Sequence, residues 1–332
     1  MQFGGGGIPP VGILFDGGFD RIGDLLALAV LFGLESKGQS RVVAISVNRP
    51  DFAAAQFCDI TKHYYTPGAF GGLPIGSVDG KQQPDPVYAK LLAETGDNAA
   101  PLFKPNVTRV LDTADPATVL RNALTASQPS NSIVIASGSV ASVSRLLSLI
   151  GSKPLIEGVV RHLILAAPKL PSDPAARAAA QRMFDEWPTP IYLCGDDIGE
   201  AIRFPGASID KDFAALKNNP VAAAYRSFGD MPYDAPASPA AAALFAAHEK
   251  ENLFKLSEPG KLRISASGAI ELEPASDGKH RRLLVDTAQK DTVLKELTEY
   301  ASLPPHPPSG RRGANANAKA DPKEPQQIKK QQ

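Results

Sequence analysis

One stretch constrains this chain more than any other: residues 13–31, ILFDGGFDRIGDLLALAVL. An apolar run ends on Asp16, two glycines follow, and Asp20 and Asp24 come within eight residues. An apolar, alanine-rich helical pattern then begins. A run of this kind reads as a buried strand, Val11–Phe15, feeding a buried helix over Asp24–Gly33. Acids clustered where such a strand gives way to a helix mark the carboxyl end of an α/β sheet, where these folds place metal and phosphate sites. Gly17 and Gly18 let the backbone turn sharply and approach a ligand. Asp20 and Asp24 are four apart, and on one helical face their charges repel, which a bound cation would relieve. The competing reading is that they cap the helix, whose N-terminus favours acids in any case.

The remainder repeats the pattern. Arg41–Val47, Ser132–Ala136, Val160–Ala166 and Ile191–Cys194 read as short strands rich in β-branched residues. Helical stretches alternate with them at Asp51–Tyr65, Asp115–Ala126 and Ala141–Ile150. Asp115 is the expected N-cap of the second of these, with Pro116 at its first position. Residues 66–112 are rich in Gly, Pro and Asp, with a short helix at 86–94, and are expected to cross the strands' carboxyl ends as a long loop. Residues 204–239 read as irregular and 240–251 as an alanine-rich helix. Residues 253–286 read as strands with a turn at Ser267-Gly268, and 287–300 as a last helix. The predicted fold is one α/β domain over 11–302, mostly parallel sheet with helices on both faces. A flexible lead, 1–10, precedes it, and a disordered Pro-, Lys- and Gln-rich tail, 303–332, follows.

Composition excludes some functions. Lys+Arg and Asp+Glu balance at 35 each in 332 residues, which argues against bulk electrostatic binding to nucleic acid or to an acidic membrane. The tail holds six basic and two acidic residues, so the body is mildly acidic. No apolar stretch reaches the roughly 18 residues of a membrane span. The N-terminus lacks the features of a secretory leader, so a cytoplasmic location is expected. The two cysteines, Cys58 and Cys194, make no disulfide framework and are expected as buried thiols.

The order strand, Asp-rich turn, A-L-A-L helix resembles the nucleoside hydrolases, whose first motif runs roughly D-x-D-x-G-x-D-D-A-L-A-L. RVVAISVN at 41–48 resembles that family's second strand and its Asn-bearing turn. DTADPATVLRNAL with SIVIASGSVASVSRLL, over 112–147, resembles its next helix and strand, and FDEWPTPIYLCG at 184–195 a later pair. FPGAS and MPYDAP are similar to a divergent bacterial branch. The resemblance implies one Ca²⁺ at the bottom of a pocket, an Asp that activates a water, and attack on the anomeric carbon of a ribonucleoside. It also implies a small nucleoside- or ribose-like ligand and assembly into homo-oligomers. Carboxylates suit that chemistry because Ca²⁺ takes several oxygens and the transition state has oxocarbenium character.

Carried over position by position, Asp16 and Asp24 match metal-binding acids, with Asp20 as a substitute catalytic acid beside Asp16. Ser137 matches the residue whose carbonyl helps hold calcium. Asn48 and Asp234 are the candidates for substrate contact. The pattern departs elsewhere. The expected base falls on Gly17 or Gly18, a ribose-binding Asp on Gly23, and the late metal-binding Asp on Pro239. Residues 165–181 lack the family's Glu and Asn. Glycine cannot accept a proton and proline has no side-chain ligand, so a non-catalytic relative that binds a ligand or partner stands beside the hydrolase. Asp196, Asp197 and Glu200 after a strand raise a phosphatase-like alternative, against which stands Gly18 where a second Asp is required. His280, among cationic residues, reads as a solvated strand end, His162 as structural, and Trp187 and Tyr192 as packing residues.

Overall fold

The computed structural model describes residues 9–68, 72–80, 83–96 and 98–306. Along the chain come β1 (Val11–Gly17), α1 (Ile22–Ser36), β2 (Ser40–Val47), α2 (Phe52–Tyr65), β3 (Ile75–Ser77), α3 (Pro86–Ala93) and α4 (Pro116–Thr125). Next are β4 (Ser132–Ser139), α5 (Ala141–Ser148), α6 (Ser152–Val159), β5 (Val160–Lys169), α7 (Pro174–Glu186), β6 (Ile191–Cys194) and α8 (Asp196–Ala201). Then follow β7 (Arg203–Phe204), α9 (Gly206–Lys211), α10 (Pro220–Phe228), β8 (Ala235–Pro236) and α11 (Ser238–Ala247). The last are β9 (Lys255–Leu256), β10 (Gly260–Ile264), β11 (Ile270–Pro274), β12 (Arg281–Leu284) and α12 (Thr287–Ala301).

Eight strands form the central sheet in the order β3-β2-β1-β4-β5-β6-β12-β9. Every pairing in it is parallel except β12 with β9 at one edge. Successive residues face opposite layers. Ile13, Phe15, Ile133, Ile135 and Ile164 join one core, while Leu14, Val134, Leu163 and Leu165 join the other. Two-sided burial explains why these strands read as unbroken apolar runs. Helix α1 is buried from Ile22 to Leu34, because it is enclosed by the sheet and by helices α11 and α12. An apolar residue on every side is what such a position demands.

Sheet order reverses at β1: its partners are β2 on one side and β4 on the other. In doubly wound sheets the crevice at such a switch point, outside the strands' carboxyl ends, is where ligands bind.

Several expectations are adjusted. β1 runs through Asp16 to Gly17, so the first acid lies inside the ladder, level with Ser46 and Ala136. The three-residue β3 and the helix α6 were not expected. The stretch 204–239 is not irregular, since it holds α9 and α10. Asn219 caps α10 by accepting from the Ala222 amide at 2.9 Å, with Pro220 first in the helix. That is the signal seen at Asp115 and Pro116, masked here by neighbouring turn residues. The turn at Ser267-Gly268 joins β10 to β11 as an antiparallel hairpin, with Gly268 at φ 85°. Residues 303–306 follow α12, and the His306 amide donates to the Tyr65 carbonyl at 2.9 Å. The expected flexible lead up to residue 8 and the tail from 307 lie outside the described residues.

Candidate functional site

Three strands and one helix meet at the switch point. Asp16 is fully buried near the end of β1. The Ser46 hydroxyl on β2 donates to its Oδ1 at 2.5 Å, and Asn48 Nδ2 donates to its Oδ2 at 3.2 Å. The Asn48 amide lies between strands. It also donates to the carbonyls of Ser137, at 3.0 Å, and Ser139, at 3.2 Å, on β4. Burial pushes the Asp16 carboxyl up to about 7; hydrogen bonds from Ser46, Asn48 and Ser142 oppose the rise and the neighbouring Asp24 adds to it.

Asp24 lies in the first turn of α1 and is also fully buried. Its Oδ2 accepts from the Phe19 amide at 2.7 Å, and its Oδ1 accepts from the Ser137 hydroxyl. Burial raises its pKa, while Arg21, Ser137 and the Phe19 amide pull the other way. The Arg21 Nη2 donates to Ser137 Oγ at 3.2 Å and to the Ala167 carbonyl of β5 at 3.1 Å. Its Nε lies 4.0 Å from Asp24 Oδ1.

The connecting loop is held from outside. Arg49 Nε donates to the Gly18 carbonyl at 2.6 Å, and the Tyr88 hydroxyl donates to the Phe19 carbonyl at 2.7 Å. Phe19 takes a left-handed conformation, φ 53°, with its ring buried. Asp20 points outward and pairs with Lys169 Nζ at 2.6 Å. Partial burial works against its ionisation, but the hydrogen bond and charge of Lys169, with Arg21 and Arg49, leave its pKa lowered.

Of the sequence candidates, Asp16, Asp24, Asn48 and Ser137 are therefore joined in one network. Asp20 lies at its rim. Asp234 makes its contacts elsewhere: its Oδ1 accepts from the Gly206 amide at 3.0 Å, and its carbonyl accepts from Arg203 at 2.6 Å. Arg21, Ser46, Arg49 and Lys169 were not anticipated. The signal for Arg21 was available, since a cation beside a helix N-terminus opposes the macrodipole and needs compensation. Ser46 and Lys169 could be found only once the strands were in register.

Two of the positions where the resemblance expects further acids, Gly17 and Gly23, are closed by packing, while at Gly18 the nearest atom is the end of the Asp20 side chain. A Cβ on Gly17 would lie 2.7 Å from the Phe15 ring and 2.8 Å from the Phe19 ring. One on Gly23 would lie 3.1 Å from the Pro236 carbonyl and 3.3 Å from the Pro239 ring. Gly23 and Pro239 are thus one packing contact where two carboxylates were expected.

These donors do not fit calcium, which takes 6–8 oxygens of high negative charge. Each oxygen of Asp16 and Asp24 already accepts from a protein group, the Ser137 carbonyl accepts from Asn48, and a guanidinium lies alongside. Among the described residues no group of three or more His, Cys, Asp or Glu side chains could hold a metal ion. A cleft of about 360 Å³ bounded by Asp59, His63, Asn106 and Asp112 opens at the β3 edge, away from this network. Its Asp59 is committed to Lys62 and to the Asn106 amide.

Both cysteines are buried and free, and Trp187 is fully buried. His162 is buried in β5 against Tyr192, with ring centroids 4.6 Å apart and the rings tilted by 33°. His280 corrects an expectation: it is buried, not solvated. Its Nδ1 accepts from the Ile191 amide at 3.0 Å, so the proton is on Nε2, 3.1 Å from the Phe184 carbonyl. Asp197 pairs with Arg282 at 2.7 Å and Glu200 with Arg203 at 2.6 Å, which commits two acids of the phosphatase-like alternative to ion pairs.

No family model matches the sequence, and no curated protein matches it. The structure is similar to an inosine-uridine preferring nucleoside hydrolase from Bacillus anthracis, with TM-score 0.58 and 14% identity over 88% of this chain and 99% of that one. It is similar to a purine-preferring ribonucleoside hydrolase from Gardnerella vaginalis, with TM-score 0.63 and 12% identity over 88% and 98%. It is also similar to the type III effector protein XopQ complexed with adenosine diphosphate ribose, with TM-score 0.60 and 12% identity over 88% and 94%. The fold is that of the nucleoside hydrolases.

Proposed function

We propose that this chain, built on the nucleoside hydrolase fold, binds a nucleoside- or ribose-containing ligand at the β1–β4 switch point and does not hydrolyse it with calcium. One observation carries the reading: the carboxylates at the switch point are buried, and each of their oxygens accepts a hydrogen bond from the chain's own donors. Two carboxylates already engaged in this way, with a guanidinium beside them, fall well short of the oxygen shell that calcium takes. What faces outward is the ion pair of Asp20 and Lys169, with the Arg21 guanidinium behind it. A carboxylate and cations of this kind are suited to ribose hydroxyls and to a phosphate, and the effector XopQ is complexed with a ligand carrying both.

The test pairs a ligand-induced thermal shift with an assay for released base, using inosine, uridine and adenosine diphosphate ribose. The expected outcome is a shift with at least one ligand and no base release in calcium or in EDTA. Base release that calcium stimulates would overturn the reading. A second reading keeps Asp16, at the carboxyl end of β1 beside the switch point, as a general base, with burial pushing its carboxyl up to about 7. It requires base release that survives EDTA and is lost in Asp16→Asn.

A further inference from the structure

Arg21 occupies an unfavourable place for a cation. It is the N-cap residue of α1, with extended backbone and no capping hydrogen bond from its side chain. The positive end of the helix dipole repels a guanidinium there. The side chain nevertheless folds back into the site and bridges three elements. It donates to Ser137 of β4 and Ala167 of β5; its Nε lies 4.0 Å from the Asp24 carboxylate of α1 without a hydrogen bond, and the Ser137 hydroxyl, which donates onward to that carboxylate, relays the contact.

The backbone around it is shaped for the purpose. Ala167 has φ 40°, a conformation that costs a non-glycine residue energy and is kept where the surroundings demand it. Here it accompanies a carbonyl that accepts from the guanidinium. Gly138 has φ 79°, and a Cβ on it would come to 4.0 Å from Arg21 Nη2. Two consecutive strand ends therefore depart from ordinary backbone geometry beside the same group.

We infer that Arg21 is the resident cation of this site: its guanidinium neutralises Asp24 and ties β4, β5 and α1 together, so that the site is complete without calcium. The inference holds for any ligand. Failure to bind a nucleoside would leave it standing, and calcium binding would overturn it while leaving nucleoside recognition open.

The experiment compares thermal midpoints of the full chain, Arg21→Ala, Asp24→Asn and the double variant, in EDTA and in millimolar calcium. The unaltered chain is expected to melt at the same temperature in both. Removing one partner of a mostly buried charge pair should lower the midpoint by roughly 4–8 °C in either single variant. The double variant should lose less than the sum, because the second change removes a group already left without its partner. Millimolar methylguanidinium should recover part of the loss in Arg21→Ala, which a purely steric role would not allow. A calcium-dependent rise in the unaltered chain that disappears in Asp24→Asn would overturn the inference, as would strictly additive losses. Should Arg21→Ala fail to fold, the calcium comparison on the unaltered chain and on Asp24→Asn still decides.

Discussion

At the scale of single residues, the glycines of GGFDRIG do different work. Gly17 faces two buried rings at 2.7 and 2.8 Å from a built Cβ, whereas the nearest atom to a Cβ on Gly18 is the mobile end of Asp20 at 3.1 Å. Gly17→Asp therefore forces Phe15 and Phe19 apart and should cost about 1–3 kcal/mol, the range of overpacking in a core. Gly18→Asp needs only a side chain to swing and should cost less, a ranking that urea unfolding of the two variants checks. Equal losses would contradict the packing account. Asp16 and Asp24 were legible in the sequence because a strand–acid–helix order has few other meanings. Their partners were not. Ser46 reaches Asp16, and Ser137 reaches Asp24, only through the register of β2 and β4 on β1, which no local pattern encodes. His280 was misjudged for a related reason. The charges beside it in sequence, Lys279 and Arg281, turn outward to the Trp187 and Ser257 carbonyls and leave the imidazole inside.

At the scale of elements, long helices and buried strands were legible from apolar periodicity and caps, and short pieces were not. α4 starts where Asp115 and Pro116 place it, but β3 has three residues and no periodicity to read. Two predictions belong here. Helix α1 crosses α12 so closely that a Cβ on Gly33 would lie 2.1 Å from the Tyr300 carbonyl. Gly33→Ala should cost about 1–3 kcal/mol by driving the helices apart, although alanine favours helices. Unchanged stability in a denaturant titration would contradict this packing. The second concerns His280, which links β6, β12 and the end of α7. Burial holds its pKa down at about 4, below the ordinary 6.5. The unfolded chain then binds the extra proton first as pH falls. The contribution of this histidine is complete above pH 6.5 and is lost progressively as pH drops through 4, by roughly 1–3 kcal/mol in all. His280→Gln, which keeps an acceptor and a donor, should not show this loss. The stability of the unaltered chain relative to the variant should therefore fall as pH drops from 6.5 to 4, a difference in which the raised Asp16 carboxyl cancels, as read by thermal unfolding of both proteins across that range.

At the scale of the whole molecule, the sheet order decides where a ligand can sit. β1 and β4 part company at the switch point, and the carboxyl ends of β1, β2, β4 and β5 all deliver polar groups there. The sequence order of strands and helices was enough to suggest this fold, because each βαβ unit fixes its neighbour and the apolar runs are long. Whether the site keeps its chemistry was not legible from the acids alone. It depended on Arg21, on Asn48 donating to a carbonyl that the resemblance assigns to calcium, and on Gly23 packing against Pro239. The most direct test of metal-free recognition is calorimetric titration of adenosine diphosphate ribose into the full chain, once in EDTA and once in millimolar calcium. The account predicts the same Kd in both buffers and an intact ligand afterwards. Binding that appears only with calcium, or ligand cleaved in its presence, would contradict it.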